Sequence, residues 1–236
     1  QLVDALECRG HTFNMSVEPP SLVCLPPNKF FNYGEHVGWG TEIDLQDVDY
    51  VMDKLDGSLI STVVSDEILL KSKTSFTSQQ AGEATSLINS PQHVVFKEKI
   101  MQAVNSGHTV NFEFTSPTNQ IVIGYNEPRL TVLNVRVNAD GSYWEYRQLV
   151  DFFGVDNVVK KIEFSTSTEE FIKVVSDMTG VEGVIIKFKN GLMVKHKTEA
   201  YAHLHHLKDS VNNPRRLWEA CVNELGDDLR ASFVDD

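Results

Sequence analysis

Short apolar segments rich in Val, Ile and Phe, separated by Gly, Pro, Asn and Asp, dominate residues 59–198. β-branched and aromatic residues favour strands, and short spacers of turn-forming residues favour antiparallel links between consecutive strands. A chain with this pattern is expected to fold around β-sheets rather than as a helical bundle. The segments are LISTVV (59–64), EILLKSK (67–73), TVNFEFTS (109–116), IVIGY (121–125), LTVLNVRVN (130–138), GVIIKFK (183–189) and LMVKHKT (192–198).

Helix start and stop signals are fewer, and they lie outside these segments. A capping residue, proline at the first helical position and a glycine after the last apolar position together mark a helix. The predicted helices begin at Ser90-Pro91, Ser167 and Asn213-Pro214 and end before Gly107, Gly180 and Gly226. Strands with segregated helices predict an α+β fold of antiparallel β-sheets with flanking helices.

The length of 236 residues suits one large domain with a short appendage. Because the strand signals give way to helical ones near Tyr201, we predict one domain over residues 1–200. Residues 201–236 then form the beginning of a helical C-terminal region, which we expect to be truncated. The chain also begins without Met, so we expect it to be a fragment.

The composition narrows the class of protein. There are 21 Lys and Arg against 33 Asp and Glu, a net charge of −12 that argues against a diffuse, non-specific nucleic-acid binder. The cysteines, Cys8, Cys24 and Cys221, are too far apart for a disulfide framework or a paired zinc motif. No apolar run approaches the roughly 20 residues that cross a bilayer. These features predict a protein of the reducing cytosol that does not enter membranes.

Lys54-Leu55-Asp56-Gly57 is the first candidate for chemistry. An Asp-Gly pair before a strand is typical of a surface turn, and that interpretation stays open. The alternative is a nucleophilic lysine, whose amine attacks phosphorus only when neutral, a state that neighbouring cations favour. Lys195 and Lys197 alternate along one predicted strand, and so do Lys71 and Lys73. Each pair is either a solvated face or part of a cationic rim that holds a polyphosphate.

Two acids stand at positions where a partner is expected. If Phe112 and Phe114 face the core, Glu113 between them faces a cleft. Glu182 directly precedes the apolar run that begins at Gly183. A carboxylate at the mouth of a buried strand needs a metal ion or a ring of lysines.

The order of these motifs resembles that of the covalent nucleotidyltransferases, which include ATP-dependent ligases and capping enzymes. The chain is most similar to the RNA ligase 1 family of tRNA-repair enzymes from T-even bacteriophages, and the resemblance covers essentially the whole sequence. The core motifs are Lys-x-Asp-Gly, LLKSK, NFEF, VEGVIIKF and VKHKT. The supporting segments are ALECRG, NKFFN, IDLQDVDYVMDKLDGSLIST, PTNQIV, LNVR and GDDLRASFVDD.

The resemblance implies a nucleotidyltransferase domain, an ATP-grasp-like ligase adenylation domain, that joins RNA 3′-hydroxyl and 5′-phosphate ends. It implies a lysyl-AMP intermediate, an adenylated RNA 5′ end, ATP as substrate and Mg²⁺ as cofactor. It further implies tRNA nicked in the anticodon loop as the RNA, and a polynucleotide kinase/phosphatase that heals the ends first. The implied location is the cytoplasm of an infected bacterial host, with no membrane partner.

The resemblance also implies roles for individual residues. Lys54 is the expected catalytic nucleophile. The residues expected to contact the nucleotide are Arg9, Lys29, Lys54, Asp56, Gly57, Lys73, Glu113, Glu182, Lys195 and Lys197. The residues expected to handle the metal are Glu113, Glu182, Asp227 and, through water, Asp56.

Two other interpretations remain at this point. A DNA ligase or a GTP-dependent capping enzyme shares the core motifs, although ALECRG, NKFFN and the helical tail disfavour both. A non-catalytic acidic β-rich binding module, in which Lys54 to Gly57 form an ordinary turn, belongs to a different class of protein.

Overall fold

The fold is taken from a computed structural model of the chain, which describes residues 8–35, 45–163, 167–215, 218 and 222. Its strands are β1 (Thr12–Asn14), β2 (Ser21–Cys24), β3 (Phe31–Asn32), β4 (Val48–Lys54), β5 (Ser58–Val63), β6 (Leu69–Ser72), β7 (His108–Thr115), β8 (Arg129–Val137), β9 (Lys161–Ile162), β10 (Gly183–Phe188) and β11 (Met193–Lys197). Its helices are α1 (Gln79–Ile88), α2 (Val94–Asn105), α3 (Tyr146–Phe153), α4 (Thr168–Asp177) and α5 (Glu199–Asn212). Short 3₁₀ turns cover Leu45–Asp47, Pro91–His93 and Val155–Asn157.

Two sheets form the body of the protein. One has four strands in the order β6-β5-β7-β8, and the other has five in the order β3-β11-β10-β4-β9. All neighbours in the two sheets pair antiparallel except β11 and β3, which are parallel. β1 and β2 form a separate hairpin. The predicted α+β fold with antiparallel sheets and flanking helices is therefore confirmed.

Each sheet buries one face under helices. Phe112 and Phe114 of β7 are fully buried in the cluster that α1, α2 and α3 complete over the four-stranded sheet. On the five-stranded sheet, Val51 of β4 packs in a second cluster with Phe171 and Val175 of α4. Because side chains alternate along a strand, Lys54 lies on the face of β4 opposite to Val51. Lys54 therefore faces the space between the two sheets.

The predicted helices are largely where the capping signals place them. α2 follows the 3₁₀ turn that begins at Pro91, and Gly107 after it has a φ of +78°. The Ser167 hydroxyl caps α4 by accepting a hydrogen bond from the Glu170 N–H at 3.3 Å. In the C-terminal region, α5 ends at Asn212, and the described residues of the helix predicted from Asn213-Pro214, which are residues 214, 215, 218 and 222, are helical. Two helices, α1 and α3, had no signal strong enough to be predicted.

One strand prediction is wrong, and another strand is shorter than predicted. Residues 121–125 form no strand, because the N–H groups of Val122 and Ile123 both donate to the Asp56 carboxylate, at 2.7 Å each, instead of to a neighbouring strand. The second strand of the first hairpin ends at Ser72, so Lys73 lies beyond it and is exposed. Lys71 is buried and donates to the Gly10 carbonyl at 2.7 Å. The two lysines therefore do not form a pair on one strand face.

Gly183 opens β10 with a φ of +148°, and a Cβ there would lie 2.1 Å from the His196 carbonyl oxygen. Gly183→Ala is therefore expected to lower the free energy of unfolding by at least about 2 kcal/mol, because the backbone of β11 would have to move. Urea unfolding followed by circular dichroism measures the change. Gly82→Ala is the matched control, since nothing lies within 4 Å of a Cβ there and alanine favours a helix interior. Equal losses in both variants would contradict the prediction.

Across the described parts of the chain, no helix combines the length and the apolar character needed to cross a membrane.

Candidate functional site

A cavity of about 220 Å³ opens between the inner faces of the two sheets. Its charged lining residues are Arg9, Asp53, Lys54, Glu113 and Lys195. Its apolar lining includes Phe30, Met52, Leu59, Leu133, Ile185 and Met193. The cavity thus combines a cationic part with an apolar slot, an arrangement typical of sites for small organic anions.

Lys54 and Glu182 form the central ion pair. Lys54 ends β4 opposite Gly183, and its Nζ lies 2.8 Å from Glu182 Oε1. Lys197 Nζ lies 3.2 Å from the same oxygen. Glu182 is 4% exposed, so its charge is compensated by these two lysines rather than by solvent. Of the two partners that the sequence allowed for Glu182, the lysines are the ones the structure shows.

Lys195 lies one rung deeper, opposite Ile185 on β10. Its pKa is lowered, first by burial and then by the positive charges of Lys197 and Lys54, with a smaller contribution from Arg9, whereas Glu35 raises it. Besides burial, which is the first cause, the lowered pKa reflects three further cations close to Lys195. A bound polyanion would compensate the excess charge.

Glu113 lies on the opposite sheet, across from Lys54. Its Oε1 accepts a hydrogen bond from the Gly57 N–H at 3.0 Å. This approach requires glycine, because a Cβ at residue 57 would lie 2.3 Å from the Phe114 carbonyl oxygen. Burial, helped by the nearby charges of Glu182 and Asp56, raises the pKa of Glu113 to about 7, although Lys54 and the Gly57 bond act in the other direction.

The raised pKa of Glu113 predicts a pH-dependent stability. Because the folded protein holds this proton up to about pH 7 and the unfolded chain releases it near pH 4.5, stability is expected to fall as pH rises through that window. Glu113→Gln has no charge to bury, so its melting temperature relative to the wild type should rise between about pH 5 and about pH 8. Differential scanning fluorimetry measures this difference. Glu98→Gln, at an exposed position on α2, is the control, and a difference of the same slope there would contradict the assignment.

Asp56 holds the turn that follows Lys54. It is 1% exposed, and Oδ2 accepts from the Val122 and Ile123 N–H groups while Oδ1 accepts from the Tyr201 hydroxyl at 2.7 Å. These bonds tie the turn to the segment before β8 and to the first turn of α5. The structure thus shows Asp56 as a clamp, and its predicted role toward a metal's hydration shell remains a prediction.

Tyr201 contacts the cationic cluster as well as the turn. Lys197 Nζ lies 4.8 Å from the centre of the Tyr201 ring, an arrangement that favours the ammonium group. Burial and the hydrogen bond to Asp56 raise the pKa of Tyr201, so its hydroxyl stays protonated and donates. No local sequence pattern marks Tyr201 as a contact to this motif.

The predicted site residues divide into three groups. The cavity and its ion pairs bring together Arg9, Lys54, Glu113, Glu182, Lys195 and Lys197, with Asp56 and Gly57 in the adjoining turn. Lys29 and Lys73 are exposed and do not line the cavity, and Lys29 Nζ lies 4.6 Å from the Phe31 ring centre. Asp227 lies outside the described residues.

No group of three or more His, Cys, Asp or Glu side chains among the described residues could hold a metal ion by itself. The predicted Mg²⁺ would keep most of its waters and bind through one or two carboxylates together with substrate phosphates. The charge of Glu182 contributes, after burial, to the raised pKa of Glu113, so the two carboxylates lie near each other. They are the residues that fit such an ion best.

Arg136, at the end of the LNVR segment, was not predicted as a site residue, and it positions one wall of the cavity. It is 2% exposed on β8, and its Nη1 donates to the Pro26 carbonyl at 3.1 Å and to Asn28 Oδ1 at 2.6 Å. The Tyr143 hydroxyl accepts from the Asn28 N–H at 3.1 Å. Arg136 and Tyr143 thus fix the segment that forms one wall of the cavity. The available signal was a cation inside the apolar run LTVLNVRVN.

Comparison with known proteins gives the family of the chain. A family model described as RNA ligase, of the T4 type, matches residues 7–201. A curated relative from Thermovibrio ammonificans, whose name carries the term RNA ligase, is 27% identical over 240 residues that cover 97% of this chain and 61% of the relative. The chain thus spans about three fifths of that relative's length.

Solved structures share the fold. An archaeal ATP-dependent RNA ligase matches with a TM-score of 0.62 at 14% identity, over 96% of this chain and 62% of that one. A variant of the Naegleria gruberi RNA ligase, solved with AMP and Mn, matches with a TM-score of 0.50 at 16% identity, over 69% of this chain and 54% of that one. At these identities the likeness concerns the arrangement of strands and helices.

Proposed function

Since the chain belongs to the RNA ligase family, we propose that it is an ATP-dependent RNA ligase that carries the nucleotide on Lys54. The observation that supports this most is the position of Lys54. Its amine lies at the edge of an apolar slot, 2.8 Å from a buried glutamate and among the cations that a triphosphate needs. A surface turn would not place a lysine in such surroundings.

In the proposed first step, Lys54 gives its ammonium proton to solvent, the resulting neutral amine attacks the α-phosphorus of ATP, and the nitrogen then releases a second proton, which the leaving pyrophosphate takes up. A nitrogen–phosphorus bond forms, and the bond from the α-phosphorus to the bridging oxygen of pyrophosphate breaks, so pyrophosphate leaves with that electron pair. Lys195, Lys197 and Arg9 would stabilise the negative charge that develops on the phosphate oxygens. Mg²⁺, held by phosphates and water with Glu113 or Glu182, supplies further charge stabilisation when bound.

The next two steps transfer the AMP and seal the RNA. An oxygen of the RNA 5′-phosphate attacks the lysyl-adenylate, which releases Lys54 and leaves an adenylated RNA end. The 3′-hydroxyl of the other end, after losing its proton, then attacks the 5′-phosphate and expels AMP. Through both steps Glu182 would remain the counter-ion that orients the returning Lys54 amine.

The finer assignments belong to the same proposal. Lys29, Lys73 and Asp227 are proposed as outlying contacts to the phosphates, the nucleotide and the metal. We propose nicked tRNA as the RNA, a polynucleotide kinase/phosphatase as the enzyme that prepares its ends, and the cytoplasm of a phage-infected bacterium as the location. The order of the motifs supports these assignments, and the structure of the Naegleria gruberi ligase with AMP and Mn supports the use of a divalent metal.

Labelling at the α-phosphate tests the proposal. The protein is incubated with Mg²⁺ and either ATP or GTP, and covalent label that is acid-labile and base-resistant is measured. Label from ATP, followed by its transfer to nicked tRNA in preference to nicked duplex DNA, is expected. Label from GTP alone would instead indicate a capping enzyme, and transfer to DNA alone a DNA ligase. Absence of label from both nucleotides would favour the binding module and overturn the proposal.

A further inference from the structure

The cavity has a polar end and an apolar end, and they are separated along the strands. Lys54, Gly183 and Lys197 lie side by side in the five-stranded sheet, and Met52 and Ile185 lie two residues further inward on the same face. On the facing sheet, Glu113 pairs with Leu59, and Asn111 lies two residues further along β7. Two residues of a strand span about 7 Å. A nucleotide with its α-phosphate at Lys54 would therefore extend its base toward the rung of Asn111.

A β-bulge brings an amide into this inner end. On β8, Asn134 pairs with Asn111 but Val132 pairs with Phe112, so Leu133 is an extra residue without a partner in the register. A bulge of this kind allows two consecutive side chains to lie on the same face of a sheet. Leu133 and Asn134 accordingly both line the cavity, although neighbours on a regular strand would point to opposite faces.

Hydrogen bonds fix which end of the Asn134 amide faces the cavity. Asn111 Nδ2 lies 3.4 Å from the Leu25 carbonyl, which can only accept, and 2.9 Å from Asn134 Oδ1. The remaining end of Asn111, Oδ1, accepts from the Ser61 hydroxyl at 2.6 Å. Because Asn111 donates to Asn134, the oxygen of Asn134 is occupied and its Nδ2 is left as a donor.

That donor has no hydrogen-bond partner among the described residues, although Asn134 is only 6% exposed. Nδ2 is accessible from the cavity that Asn134 lines, so a ligand or water there can accept its hydrogen bond, and a bound ligand that covers it without accepting would leave a costly unpaired donor. Its surroundings in the cavity are apolar side chains from both sheets, such as Leu133, Met193 and Ile185. A flat aromatic ligand with one acceptor atom at its far edge would satisfy both features.

We propose that Asn134 reads the nucleobase by donating a hydrogen bond from Nδ2 to N1 of adenine. The inference rests on the proposed function, because it assumes that the nucleotide binds with its α-phosphate at Lys54. The edge of adenine farthest from the ribose carries N1, which accepts, whereas guanine carries an N1–H donor at that place. Asn134 therefore selects ATP against GTP, and Ser61 and Asn111 act as positioning residues that hold its amide in the donating orientation.

The test compares ATP with 1-deaza-ATP, in which a C–H group replaces N1, in the formation of covalent label. For the wild type, the analogue is expected to lower kcat/KM by about 20-fold, the loss for one unpaired buried donor. In Asn134→Ala, kcat/KM with ATP should fall to a similar level. Replacing ATP by 1-deaza-ATP in this variant should lower kcat/KM by no more than about twofold further. In Asn105→Ala, at an exposed position on α2, 1-deaza-ATP should lower kcat/KM as much as it does in the wild type.

Asn134→Asp keeps the shape of the side chain and replaces the donor by an acceptor, so it covers the case in which the alanine variant does not fold. Its ratio of GTP to ATP labelling is expected to rise by at least about tenfold. If replacing ATP by 1-deaza-ATP lowered kcat/KM equally in the wild type and in Asn134→Ala, the inference would be overturned. It would also be overturned if the Asn134→Ala change abolished the loss caused by 3-deaza-ATP or 7-deaza-ATP instead. If ATP labels the wild type but the effect of 1-deaza-ATP does not depend on Asn134, the proposed function stands and the inference about Asn134 falls. If ATP does not label the wild type, the proposed function and the inference both fall.

Discussion

Replacement of Lys54 by arginine is expected to lower covalent labelling from α-labelled ATP by at least about 1,000-fold. Arginine keeps the positive charge that pairs with Glu182. Its guanidinium group cannot lose its proton in a protein, so it cannot supply the lone pair that attacks the α-phosphorus. The charge of the site is preserved while the nucleophile is removed. The experiment therefore separates the chemistry of Lys54 from its electrostatics.

The control for this variant is Lys173→Arg, at an exposed position on α4, which should label like the wild type. Equilibrium binding of ATP provides a second readout. Because Arg9 and Lys195 still face the cavity, Lys54→Arg is expected to bind ATP with a Kd within about tenfold of the wild-type value. Covalent label that persists in Lys54→Arg would exclude Lys54 as the nucleophile.

Glu182→Gln is expected to lower the rate of label formation by at least about 100-fold. The wild-type carboxylate lies between two ammonium groups, at 2.8 Å from Lys54 and 3.2 Å from Lys197. A neutral amide of the same shape cannot compensate either charge, so the two lysines would repel each other and Lys54 would leave its position beside the cavity. Rapid-quench measurement of the first turnover gives the rate directly.

The matched control is Glu163→Gln. Glu163 also pairs with a lysine, at 3.6 Å from Lys161, but both side chains are exposed, so the pair is worth little. Its loss should change the labelling rate by no more than about twofold. Similar losses in both variants would show that the burial of Glu182 between the two lysines has no catalytic consequence.

Local sequence patterns predict some parts of this fold. In those parts, the environment of each residue follows from its neighbours in the sequence. Phe112 and Phe114 alternate with polar residues, and β7 is found where that alternation predicts it. The capping pattern of Ser167 and Glu170 likewise predicts the start of α4 from neighbouring residues alone. Residues 121–125 have the composition of a strand but lie across the Lys54 turn, because a carboxylate 66 residues earlier binds their N–H groups. No local pattern contains that information.

In the candidate site, too, some features follow from local sequence patterns and others depend on long-range contacts. Lys54 and Glu182 could be recognised as candidates, and their contact across β4 and β10 follows only from the order of strands in the sheet. Asn134 could not be predicted at all. Its place in the cavity depends on the register shift at Leu133, and its orientation depends on a carbonyl from residue 25. Side chains that act through long-range hydrogen bonds leave little trace in sequence periodicity.

The hydrogen bond between Tyr201 and Asp56 bears on how the protein can be divided. The change in sequence character near residue 200 suggests a natural place to cut the chain. A cut there would remove the phenol that donates to Asp56, and one oxygen of a carboxylate that is 1% exposed would lose its partner. The smallest piece able to keep the Lys54 turn in place therefore includes at least the first turn of α5. A linker or fusion junction belongs after that turn.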